Sequence, residues 1–215
     1  MVELVHSEFY TPAEVASHDA ASDVWISFLG QVYDVTAVVR ENEGTLTQPL
    51  VRAAGTDVSH WFDATTGDLK TRIDPEAGDR RYFLPMGRFV GVPESGEPAK
   101  PGEGGAWWRD GTGRVGKLST SVRRIKLLNT LTQDEHELEV PSEETIQEIL
   151  VRYLPFNAHA ASYAWKCMGR QLDKDRTLQD NGILDERELY AKANLPDDFF
   201  VPLIHVYYTD DLTVA

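Results

Sequence analysis

A single cysteine, Cys167, is all the thiol chemistry this chain of 215 residues has, so it can form no disulfide within itself and no cysteine-based zinc cluster. Cations are scarce as well: 21 Lys and Arg stand against 35 Asp and Glu, a formal net charge of −14. Nucleic acid is bound by neutralising phosphates with clustered Lys and Arg, so this acid excess argues against such a partner. No stretch of about 20 consecutive apolar residues occurs, so no membrane-spanning helix and no membrane partner are expected. Residues 1–8 lack the basic start and long apolar run of a secretory leader. A lone buried thiol, no leader and no span together lead to the expectation of a soluble protein of the cytoplasm or cytoskeleton.

Signs of catalysis are missing too. No glycine-rich phosphate loop or nucleophile elbow occurs, and the carboxylates are spread over turns and helix faces without an acid and base pairing. Asp197-Asp198 and Asp210-Asp211 read as solvated charges. His136, His159 and His205 have no i, i+4 partner at metal-ligand spacing, so neither an enzyme nor a metal site is expected.

What is present divides into two. From Pro93 to Gly116 the repeated Gly and Pro raise the cost of regular structure and remove backbone donors, so residues 93–117 are expected to be a linker between domains at 9–92 and 118–212. Inside that linker stand Trp107 and Trp108. One reading folds the pair back onto a domain; the other makes it a partner-binding anchor, since Trp dominates many interfaces.

Ahead of the linker, Thr11-Pro12 starts a short helix, and Val24–Phe28 with Val32–Val35 reads as a hairpin about Leu29-Gly30-Gln31. Glu14-Val15, Asp23 with Trp25, Val32-Tyr33-Asp34-Val35-Thr36 and Ala54-Gly55-Thr56-Asp57 fall in an order that resembles the cytochrome b5 family over residues 9–92. That resemblance implies haem iron held between two histidines. The first ligand position falls on Asn42, in Asn42-Glu43-Gly44, and the second at or near Gly67, so no cofactor is expected. Haem held by His60 is the alternative; the competing reading of His60 is an outward-facing residue beside inward Trp61 and Phe62. Tyr82 and Met86 are other conceivable ligands, better read as core. A vacated haem pocket has to be filled, and Trp61, Phe62, Phe83 and Phe89 are the expected fillers.

Beyond the linker, Ser121–Leu131 and His136–Val140 alternate as a second hairpin. A helix capped by Ser142 follows, with Ile146, Ile149, Leu150, Tyr153 and Leu154 at helical spacing. Strands are expected near 162–168, after Gly169, and over 201–208. This order, with Gln171-Leu172-Asp173 leading to Asp180-Asn181-Gly182-Ile183, is similar to the ubiquitin β-grasp over 119–211, without a terminal Gly-Gly for conjugation. The expected fold class is therefore α+β, a degenerate cytochrome b5-like domain plus a ubiquitin-like β-grasp domain.

The two domains in this order resemble a family associated with motile cilia. The resemblance implies a non-enzymatic structural or adaptor component of the ciliary or flagellar axoneme that supports beating, with other axonemal proteins, radial-spoke subunits among them, as partners. The competing expectation is a haem-binding redox or sensing protein that uses a nonstandard ligand such as His60. An adaptor in ubiquitin signalling rests on the β-grasp analogy alone.

Overall fold

β-Branched and aromatic side chains between Asp23 and Phe28 favour an extended chain, which pairs antiparallel with Gln31–Asp34 from Trp25↔Asp34 to Phe28↔Gln31. Leu29 and Gly30 join them at φ 49° and 74°, the conformation a two-residue turn needs to match the strand twist. The computed structural model describes residues 7–42, 44–75, 78–98 and 106–208. Glu43, part of the expected linker (99–105) and the tail from Thr209, with Asp210-Asp211 and the expected domain end at 212, lie outside these residues. The chain divides into two units, Pro12–Leu118 and the described parts of Met1–Thr11 with Ser119–Ala215.

In the first unit Arg114–Leu118 extends the hairpin antiparallel to Gln31–Asp34, and Asp19–Ala20 adds beyond Asp23–Phe28. The expected linker thus ends early: from Ala106 onward it belongs to the first unit's core and sheet. Gly113 explains why a glycine-rich stretch can enter a sheet. Its φ is +77°, it accepts the Asp34 N–H at 2.7 Å, and a Cβ there would stand 2.2 Å from the Asp34 carbonyl oxygen. Only glycine permits that approach.

Three short helices follow the chain order: Pro12–Ala16, Thr36–Glu41 and Gln48–Arg52. Asp34 Oδ1 accepts the Thr36 N–H at 2.9 Å and starts the second, while Pro49 sits in the first turn of the third. Between Arg52 and Tyr82 the described residues hold a 3-10 turn, Ser59–Trp61, and a hairpin of Thr71–Ile73 with Arg80–Tyr82, and a fourth short helix, Trp107–Asp110, comes later in the unit. Asp57 sets the turn by accepting the Ser59 N–H at 3.0 Å.

The second unit's strands run in the order Arg170–Gln171, Ala164–Cys167, Leu203–Tyr207, Val122–Asn129, Glu135–Pro141. The last strand in sequence lies between Val122–Asn129, to which it is parallel, and Ala164–Cys167, to which it is antiparallel. One helix, Ile146–Tyr153, buries Ile146, Ile149, Leu150 and Tyr153 among Ile125, Leu127, Trp165, Ile204 and Val206. Each such side chain contributes roughly 1.5–3 kcal/mol.

The helix is not capped by Ser142. Thr145 and Glu148 form a reciprocal capping box, with Glu148 N–H on Thr145 Oγ1 at 3.3 Å and Thr145 N–H on Glu148 Oε2 at 2.8 Å. The residues ahead of it are engaged elsewhere. Glu143 accepts from the Ser119 and Thr120 hydroxyls at 2.8 Å each, and Glu144, with no exposed surface, accepts from Arg152 Nε. Burial pushes the Glu144 carboxyl above its ordinary range, against the pull of Arg152. Arg152 also donates to the Phe9 carbonyl at 3.0 Å, and the described residues before Pro12 group with this unit.

Candidate functional site

The first unit's distinctive feature is a continuous aromatic interior. Phe28 stacks on Phe62 at 4.1 Å and on Tyr33 at 4.3 Å between ring centroids. Trp107 meets Phe28 and Tyr33 edge-on at 6.1 and 6.3 Å. Phe89 lies 5.5 Å from both Trp61 and Trp108, and the two adjacent indoles are themselves edge to face at 5.5 Å. Such pairs add about 0.5–1.5 kcal/mol each beyond their burial.

The tryptophan pair is therefore internal. Trp107 and Trp108 are 5% and 4% exposed and cannot serve as the exposed partner anchors that their place in a linker suggested. Their short helix, Trp107–Asp110, turns both rings inward, and each indole N–H is satisfied there: Trp107 donates to the Val90 carbonyl at 3.1 Å and Trp108 to Asp68 Oδ1 at 2.9 Å.

Asp68 is the polar hub of this interior. It accepts from Trp108, from Tyr82 Oη at 3.2 Å and from the Arg109 guanidinium, which also reaches Tyr82 Oη at 2.9 Å. Burial works against its charge, but the Arg109 and Trp108 hydrogen bonds outweigh that and hold the carboxyl below the usual carboxylate range. Trp61, 2% exposed, has no partner for its indole N–H among the described residues.

Trp61, Phe62 and Phe89 fill the interior as expected. Phe83 does not: it is 36% exposed, with Arg72 over its ring. Met86, at 40%, is likewise not core, whereas Tyr82 is buried on Asp68. The aromatic groups missed by a reading confined to residues near the ligand positions are Phe28, Tyr33, Trp107 and Trp108. The signal for the last two was their own composition, since paired indoles are costly to leave in water.

The residues present do not fit haem. Asn42 is exposed and spends its amide on the Val38 carbonyl at 2.9 Å; Gly67, at φ 69°, has no side chain. His60 is exposed, its ring edge-on to Trp61 at 5.9 Å. His18 stacks on Trp25 at 3.8 Å and pairs with Asp23 at 2.7 Å. A bis-imidazole iron site needs two inward rings on opposite faces of the porphyrin, and the interior lined by these residues presents aromatic carbon and an indole N–H instead. Among the described residues no group of three or more His, Cys, Asp or Glu could hold a metal ion, and no helix is long and apolar enough to cross a membrane.

The family model for the cytochrome b5-like haem/steroid binding domain matches residues 11–84, which defines the first unit as a cytochrome b5-like domain. That match ends before Phe89, Trp107, Trp108 and the strand Arg114–Leu118, all of which the fold draws into the same unit. Over nearly its full length the chain belongs to the family of cytochrome b5 domain-containing protein 1. It is 47% identical over 214 residues to the Xenopus tropicalis protein of that name, covering 97% of this chain and 98% of that one. Identity to the human protein is 46% over 219 residues, 99% of this chain and 94% of the other, and to the mouse protein 45% over 212 residues, 95% and 91%.

Proposed function

We propose that this chain is a non-enzymatic adaptor of the ciliary axoneme in which the cytochrome b5-like domain has exchanged its cofactor for a core of its own side chains. The observation that carries the cofactor-free part is the closed cluster of Trp61, Phe62, Phe89, Trp107 and Trp108, with Asn42 and Gly67 at the ligand positions and His60 outside. A domain stable without haem is suited to presenting surfaces rather than to moving electrons. The axonemal setting, with radial-spoke subunits as partners and support of beating as the role, rests on the family resemblance.

We read the second unit as a ubiquitin-like β-grasp. What supports this is a mixed five-stranded sheet with the last strand inserted parallel to the first, and one helix after the first hairpin. Such a unit adds a second surface for assembly.

The test is to express the tagged full chain in ciliated cells and extract the cilia with detergent. Retention on the axoneme, and loss from axonemes that lack radial spokes, are expected. A chain that washes out with the soluble fraction would contradict the reading.

A further inference from the structure

Residues of the helices Thr36–Glu41 and Gln48–Arg52 and of the turn at Ala21-Ser22 line a cleft of about 790 Å³ in the first unit. It is separate from the aromatic interior, since none of Trp61, Phe62, Phe89, Trp107 and Trp108 lines it. Val39, which is buried, and Val51, which is partly so, give it an apolar floor, one from each helix, while Arg40 and Gln48 stand exposed at its rim. Clefts of about 300–1,000 Å³ with an apolar floor and a few convergent polar groups are the usual seats of small molecules.

The polar groups here are able to donate. Arg40 is the one charged side chain among the described residues that line the cleft, and its guanidinium has neither an ion pair nor a hydrogen bond among the described residues. Asp23, next in sequence to the Ala21-Ser22 turn, is already paired with His18 at 2.7 Å. Thr36 Oγ1 accepts the Val24 N–H at 2.9 Å, which leaves its own O–H to donate into the cleft. The Gly44 carbonyl, by contrast, is taken up by the Thr47 N–H at 3.3 Å and the Thr47 hydroxyl at 2.8 Å. The Thr45 hydroxyl and the Gln48 amide add two more groups with donor capacity.

A free guanidinium in a lining without carboxylates favours an anion. One cation matches one negative charge. Nucleic acid or an anionic membrane presents many, and a chain of net charge −14 repels such surfaces. A phosphate monoester carries about −1.5 to −2 at neutral pH, more than Arg40 alone can match. A carboxylate carries one charge and meets the planar guanidinium fork with two parallel hydrogen bonds. The floor of Val39 and Val51 selects an aliphatic body over a bare ion.

We propose that this cleft binds a small aliphatic carboxylate, its charged end on Arg40 and its chain over Val39 and Val51. The site goes beyond the adaptor reading and does not depend on it.

The test titrates the nitrogen-15-labelled full chain with octanoate at constant ionic strength and follows the backbone amide shifts. Octylammonium and 1-octanol carry the same chain with the opposite charge or none, and inorganic phosphate carries charge without a chain. Octanoate is expected to saturate, with its shifts concentrated on the two helices, and the other three to bind about tenfold more weakly or less. Arg40→Gln should weaken octanoate about tenfold, and so should Gln48→Glu, which puts a carboxylate on the rim. Arg52→Gln, at an exposed residue outside the lining, should leave binding intact. All three side chains are exposed, so thermal unfolding should not move. No saturation, an affinity that survives Arg40→Gln, or 1-octanol, octylammonium or phosphate binding as tightly as octanoate would overturn the proposal. So would octanoate shifts confined to the second unit. Failure here with axonemal retention intact would remove this site and leave the adaptor reading standing.

Discussion

In the first unit none of Trp61, Phe62, Phe89, Trp107 and Trp108 is more than 5% exposed, whereas in the second Leu184, Leu189, Phe199 and Phe200 all keep about half their surface in water. Side chains of the same chemistry are spent on opposite tasks. The contrast separates groups that close a fold from groups that a fold holds out, and chain position does not tell them apart: the paired indoles sit in the most linker-like stretch of the sequence and yet belong to the core.

Breaking the first side of the contrast should have the largest effect. Trp107→Ala with Trp108→Ala removes two buried aromatic side chains, each worth about 3–5 kcal/mol on truncation to Ala. Loss of the first unit's near-ultraviolet circular dichroism and of its cooperative unfolding is expected. A native-like transition in that variant would show the pair to be dispensable to the core.

Gly113→Ala comes next. The new methyl would meet the Asp34 carbonyl oxygen at 2.2 Å in a backbone conformation that disfavours any Cβ, so a loss of about 2 kcal/mol or more is expected in urea unfolding. Substitution of the exposed Gly67, where a Cβ meets nothing within 4 Å, bears only the cost of its own positive φ and should be milder.

Asp68 supplies the pH dependence of the aromatic unit. Its carboxyl is held below the range it has in the unfolded chain, so its stabilisation is complete above about pH 4, the ordinary carboxylate value, and is lost as pH falls through the depressed folded value. Asp68→Asn should lower stability at neutral pH by about 1–2 kcal/mol and flatten the acid limb of a plot of urea midpoint against pH. Tryptophan fluorescence is a suitable probe, because Trp165 alone of the five tryptophans lies outside this unit. An acid limb as steep in the variant as in the parent would assign the effect to other groups. In the second unit Asp185 is held down to about 2, first by hydrogen bonds from Arg187, so its share of stability persists to lower pH.

The smallest effect distinguishes two indoles of the same core. Trp108→Phe takes a donor from Asp68, while Trp61→Phe removes an N–H that has no partner among the described residues. Trp61→Phe should be the milder by about 1 kcal/mol in thermal or urea unfolding, and the reverse order would mean that Trp61 has a partner in solution.

The sequence made local pairings legible and distant ones obscure. The hairpin about Leu29-Gly30 and that of Val122–Asn129 with Glu135–Pro141 follow from alternation within a few residues of a turn. The helix Ile146–Tyr153 follows from its four buried positions. Its start lies at Thr145 rather than Ser142, and the signal for that is local: Thr145 has Glu148 three residues on, the spacing of a capping box, whereas Ser142 has Thr145 there. Arg114–Leu118 was hidden for another reason. It is short, with only Gly116 buried, and its partner strand lies some 80 residues upstream, beyond the reach of any local pattern. At the candidate site the unsuitability of Asn42 and Gly67 as iron ligands could be read directly, while the supply of filling side chains from 106–108 needed the folded structure.

Absorbance during titration of the purified full chain with haem tests the central claim most directly. The closed aromatic interior leads to the expectation of no saturating Soret band at one haem per chain and no reversible reduced spectrum, with Trp107→Ala and Trp108→Ala gaining none either, for want of inward imidazoles. A stoichiometric band of a six-coordinate haem, abolished by His60→Ala, would contradict it.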